Sequence, residues 1–159
     1  MVNRLAAWIL RSPFSSLFDR SVMLISVKGR RTGREYTLPV NYADDGDGIW
    51  VIPGNPERKT WWRNLEAETP VRLRCRGTDL VRTAKAFRGE TDPATVEKGL
   101  RVYLRRFPRC ARAFGIENGE AEIADARLEE AVRRTVIVRI LPNRDLEADL
   151  PGARGPTAD

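Results

Sequence analysis

The sequence predicts a mainly β (α+β) domain: about six antiparallel strands closed into a barrel, with helices at its periphery. Three observations carry this expectation. Short apolar, β-branched runs recur through the first half of the chain, separated by glycine-bearing turns too short for helical crossovers. Val71, Leu73 and Cys75 alternate with Arg72, Arg74 and Arg76, the period of a strand with one core face and one wet face. Sustained helical spacing appears only near the start and after Asp92, so no regular βαβ alternation is present.

Taken in order, residues 1–20 form an amphipathic helical leader. Leu5, Trp8 and Ile9 share one face, Arg4 and Arg11 flank it, and Pro13 stops the helix before a second turn with Phe14, Leu17 and Phe18. Such a leader covers an apolar end of a core or a dimer partner; its basic flanks also suit peripheral contact with a membrane surface. The barrel domain is expected over 21–142. Ser21 to Val27 is continuously apolar and reads as a strand buried on both faces. Gly29 to Gly33 turns the chain into a second strand, Glu35 to Tyr42, and the acidic loop ADDGDG leads to a third, Ile49 to Ile52. Its aspartates lack the spacing and the closing glutamate of a calcium loop.

Thr60 is the expected N-cap of a brief helix, WWRNLEAE, which Pro70 ends. The alternating strand then pairs across Gly77 and Thr78 with Leu80 to Arg88. Asp92 and Pro93 open a helix with Val96, Leu100, Tyr103 and Leu104 at helical spacing, and Pro108 breaks the chain after it. The helix ADARLEEAVRR precedes a closing strand with Val136, Val138 and Ile140 on one side. Residues 143–159, rich in Pro, Gly, Ala and Asp, form a disordered tail.

At 159 residues the chain holds one domain with a core of its own. Its formal charge of +6 favours anionic partners without choosing among them. Histidine is absent, which removes the commonest general base, triad member and metal ligand together. No metal site is predicted. Cys75 and Cys110 are single and distant, consistent with a reducing compartment, although a disulfide between them stays open. With no apolar run of spanning length and no cleavable signal pattern, the expected location is cytoplasmic.

G-x-G-x-x-G, the phosphate-loop pattern and the G-x-S-x-G elbow are all missing. Chemistry needing a dedicated acid, base or nucleophile is therefore poorly supported. Hydride transfer is not excluded, because a bound redox cofactor performs it and the protein need only hold ring and substrate together. The residues from Gly29 to Asn64 suit that task. They gather Arg30, Arg31, Arg58 and Lys59 with Trp61 and Trp62, so guanidinium forks can grip an anionic tail while an indole faces a ring. Successive helix positions point about 100° apart, so one of the two tryptophans belongs in the core.

GRRTGREYTLPVNY, then a strand, PGNP, WWRNL and a hairpin entered through Pro-Val resemble the deazaflavin-dependent nitroreductase family over Val22 to Phe87. The resemblance implies a split β-barrel, like FMN-binding split barrels, and coenzyme F-420 as cofactor. It implies that Arg30 and Arg31 hold the phosphate and glutamate tail, that Thr32 and Gly33 shape their turn, and that Pro39 lies beside the ring. Trp61 and Asn64 would flank the pocket, Arg58 or Lys59 would make a second tail contact, and Pro53, Gly54 and Asn55 would stand at the ring. Tyr42 is a weak catalytic candidate. The family's nitroreducing members carry tyrosines on a C-terminal helix where this chain has FPRCARAF, so nitroreduction is not implied.

The leading expectation is an F-420-dependent oxidoreductase that passes a hydride to a small electrophilic acceptor such as a quinone or an activated double bond. Alternatives are an FMN-using split barrel and a non-catalytic lipid- or pigment-binding barrel. Nucleic acid is an unlikely partner, since the arginine strand lacks interleaved aromatics that stack on bases. Small split barrels commonly cover an open face by pairing, which makes a homodimer the expected assembly.

Overall fold

The computed structural model describes residues 21–116 and 125–142; the expected leader over 1–20 and tail over 143–159 lie outside them. β1 (Val22–Lys28) and β2 (Glu35–Asn41) form the predicted hairpin, in register from Val22 opposite Asn41 to Lys28 opposite Glu35. Its turn closes because the Gly29 amide donates to the Arg34 carbonyl at 2.8 Å and the Gly33 amide to the Gly29 carbonyl at 2.9 Å. Gly33 sits at φ +65°, a conformation that side chains disfavour.

β3 (Ala43–Asp44), β4 (Ile49–Val51), β5 (Thr69–Cys75), β6 (Thr78–Arg88) and β7 (Val136–Ile140) complete one antiparallel sheet, in the order β2-β1-β5-β6-β7-β4-β3. The sheet has seven strands rather than about six. The addition is β3, whose two residues are too short to leave a periodic trace in the sequence. β2 and β3 are the two edges of the sheet, yet Tyr42 alone joins them. The sheet must therefore curl to bring its two edges to one residue, and an open, split barrel results, with no pairing between β2 and β3.

Alternation sorts side chains to the inside and outside of this barrel. Met23, Ile25, Val27, Val71, Leu73, Val138 and Ile140 fill the interior with Trp62 and Leu65. On β1 the neighbouring Leu24 is also buried, whereas Ser26 is only partly so, which tempers the expectation of a strand buried on both faces. Outside, α1 (Pro93–Arg106) and α2 (Asp125–Arg134) pack with Trp50 and Ile137 in a second core. Asp92 caps α1 as expected, accepting from the Thr95 amide at 3.1 Å. Any side chain at Gly99 would strike Trp50 and Ile137, so glycine lets α1 lie close to the sheet.

The segment after the Pro53–Lys59 loop departs from expectation. It is a 3-10 helix over Thr60–Leu65 in which Lys59 occupies the cap position and no side chain caps the end, so Thr60 is helical and not the N-cap. Pro108–Phe114 is likewise a 3-10 helix after α1. Cys75 and Cys110 are both free thiols.

Candidate functional site

The β1–β2 turn and the Thr60–Leu65 helix face each other across a groove of about 540 Å³. Which tryptophan lines it follows from the helix geometry. Trp62 points into the barrel, 3% exposed, and its indole N–H donates to the Pro56 carbonyl at 2.9 Å. Trp61 lies along the groove instead. Asn64 ties the two walls together: its Oδ1 accepts from the Arg30 amide at 3.0 Å, and its Nδ2 donates to the Trp61 carbonyl at 3.0 Å. Arg30, Arg31, Thr32 and Arg63 supply the polar lining, and Tyr36 adds an aromatic edge.

Glu66 sits behind this cationic groove. Its carboxylate pairs with Arg30 at 3.1 Å and with Arg88 at 2.7 Å, while the Arg88 guanidinium stacks 4.9 Å from the Trp62 ring centroid. The hydrogen bond from Arg88, with the charges of both arginines, holds the Glu66 carboxyl below its ordinary pKa, so it is ionised at neutral pH.

Pro53, Gly54 and Asn55 lie elsewhere. With Ile52, Phe114 and Ala131 they line an apolar trough of about 590 Å³ between the 3-10 helix Pro108–Phe114 and α2. A middle groove of about 490 Å³ lies between the two. It shares Arg63 with the cationic groove, and Asn55, Pro56, Arg134, Thr135 and Val136 with the trough. The surface thus runs from guanidinium groups, through mixed charge, to apolar walls.

Of the remaining predicted residues, Gly33 shapes the turn without lining the groove, and Pro39 is half-buried on β2 opposite Leu24. Arg58 and Lys59 are exposed on the loop, where their amides donate to the Asn55 carbonyl at 3.1 and 2.9 Å; they line none of these three grooves. Tyr42 is 5% exposed inside the barrel, and its hydroxyl accepts from the Cys75 thiol at 3.1 Å. Burial first, then Cys75, raises its pKa, and it also lies outside the three grooves. Among the described residues no group of three His, Cys, Asp or Glu side chains could hold a metal ion.

Tyr36 and Arg63, which line the cationic groove, and Glu66 behind it escaped the sequence reading. Arg63 carried a signal in retrospect, since it follows Trp61 by two positions in a segment already assigned to the pocket. Glu66 carried none, because its pairing with Arg30 and Arg88 spans distant parts of the chain.

The structure is thus an antiparallel split barrel that carries a cationic groove and an apolar trough on its surface. Residues 11–103 match the family model of the F420H(2)-dependent quinone reductases, and the chain belongs to that family. It is an F-420-dependent reductase, and coenzyme F-420 is its cofactor. Among solved structures the fold resembles an F420-H2 dependent reductase at TM-score 0.52 and 18% identity, covering 76% of this chain and 95% of the other. It also resembles a protein described as a domain-swapped dimer, at TM-score 0.51 and 17% identity, covering 85% and 98%. No curated protein matches the sequence. Among the described residues no helix is long and apolar enough to cross a membrane.

Proposed function

We propose that this reductase delivers a hydride to a small electrophilic acceptor of the quinone or activated-double-bond kind. The cofactor's acidic tail would lie in the cationic groove and its ring beside Pro53, Gly54 and Asn55, with the acceptor against the same apolar walls. The observation that carries this reading is the adjacency of the three grooves, which share Arg63 on one side and Asn55 and Pro56 on the other. Such a surface matches, end for end, a molecule whose charge and aromatic ring are far apart.

When bound, the reduced deazaflavin supplies the hydride. The chain's own part is binding and exclusion of water: Arg31 and its neighbours fix the tail, Asn64 keeps the two groove walls in register, and Ile52, Phe114 and Ala131 provide a dry surface for flat molecules. None of these groups needs to exchange a proton for the hydride to move.

Replacing Arg30 and Arg31 together by Ala is expected to weaken F-420 binding by about 2 to 4 kcal/mol, read by fluorescence titration. An unchanged titration would remove the turn from the site. For the acceptor, steady-state turnover of a soluble quinone with reduced F-420, compared with a nitroaromatic, separates the quinone reading from nitroreduction. A homodimer is part of the same proposal, and sedimentation velocity at micromolar concentration tests it.

A further inference from the structure

Six arginines line the cationic and middle grooves: Arg30, Arg31, Arg63, Arg88, Arg133 and Arg134. They are not equivalent. Glu66 takes Arg30 at 3.1 Å and Arg88 at 2.7 Å, and Glu130 takes Arg133 at 3.4 Å and Arg134 as well. Two carboxylates therefore occupy four guanidinium groups. Among the described residues no carboxylate pairs with Arg31 or Arg63. Arg63 instead lies 5.5 Å from the Trp62 ring centroid, a contact that orients the fork without cancelling its charge.

We infer that Arg63 and Arg31, rather than Arg30, form the anion clamp of this groove, and that Arg30 is a positioning residue. An anion approaching Arg30 meets the Glu66 carboxylate on the same guanidinium, and the repulsion offsets much of the attraction. Arg30 instead fastens the turn, through its amide to Asn64 and its side chain to Glu66. Arg31 and Arg63 keep their full charge and line the same cavity. Glu57 and Glu90 face the middle groove, so anionic groups are driven back toward the Arg63 end. Arg63 also belongs to both grooves, which puts it where an acidic tail gives way to the rest of a ligand. The clamp rests on the proposed function only in identifying its anion as the phosphodiester and carboxylates of F-420.

The test uses two probes, F-420 by fluorescence titration and inorganic pyrophosphate by calorimetry, on the full chain. Arg63→Gln is expected to weaken both by about tenfold or more, the loss of one charge-assisted pair. Its melting temperature should hold, because the residue is exposed. Arg63→Lys should recover part of the affinity, since charge returns without the fork. The paired neutral swap Arg30→Gln with Glu66→Gln, which loosens the turn but removes no unpaired charge, should weaken both probes clearly less than Arg63→Gln does. The clamp is overturned if Arg63→Gln binds both probes like wild type, or if the paired swap is as damaging as Arg63→Gln. Wild type that binds pyrophosphate through Arg63 but ignores F-420 would sink the proposed function and leave the clamp standing. F-420 binding that is indifferent to Arg63 would do the reverse.

Discussion

The cationic groove and the apolar trough stand at two ends of one surface and are built from opposite materials. The first is assembled by side-chain hydrogen bonds on an exposed turn, with Asn64 and Glu66 as its fasteners. The second is walled by α2, whose buried Leu128, Ala131 and Val132 belong to the outer core. Damage at the turn should therefore alter binding and spare the fold, whereas damage at the trough should reach both. Under the proposed function, the grip on an acidic tail can vary without disturbing the walls around the ring.

The largest expected effect attacks the trough through its support. A side chain at Gly89 would run into the Val132 carbonyl of α2, backbone against side chain with no flexible atom to yield. Gly89→Ala should cost about 3 kcal/mol in a urea melt and weaken F-420 binding, while pyrophosphate still binds the turn. Next, Ala113→Trp places bulk at the exposed lip of the trough. It should weaken the whole cofactor about tenfold and leave both pyrophosphate affinity and melting temperature unchanged. Equal loss for the two ligands would erase the distinction between the ends.

Gly33→Ala tests the other end. A side chain at φ +65° strains the turn by about 1 kcal/mol, so pyrophosphate binding should slacken with only a small fall in melting temperature. The smallest effect at neutral pH comes from Tyr103, buried on α1 and lining neither the cationic groove nor the trough. Burial, with Cys110 nearby, pushes its phenol up to about 12 from an ordinary 10.0. Folding thus favours the protonated phenol; this stabilisation is complete below pH 10 and drains away as pH rises through 12. Tyr103→Phe should flatten that alkaline decline in pH-dependent melts and leave both ligands unaffected.

Much of the architecture was legible because local chemistry and global packing agree. Gly29–Gly33 demanded a turn, Asp92-Pro93 a helix start, and the arginine alternation a half-wet strand; each appears where expected. Two features were not. β3 is too short to show a period, and Thr60 lost its capping place because the following residues wind as a 3-10 helix that buries Trp62 and Leu65. Within the candidate site, Arg31, Thr32, Trp61 and Asn64 line one groove, while Pro53–Asn55 open onto a different one. The sequence names charged residues, but which of them a carboxylate already occupies depends on contacts such as Glu66 with Arg88, 22 positions apart.

The one-residue splice at Tyr42 also governs where this chain can change length. A single insertion there would invert the inward and outward assignment of every residue in one flanking strand relative to its partner, exposing one row of the barrel lining to water. Indels are instead expected at hairpin ends such as Gly46 and Gly77, where even an added methyl group would meet nothing within 4 Å. A deep insertion scan should show tolerance at those two turns and a sharp gap at position 42.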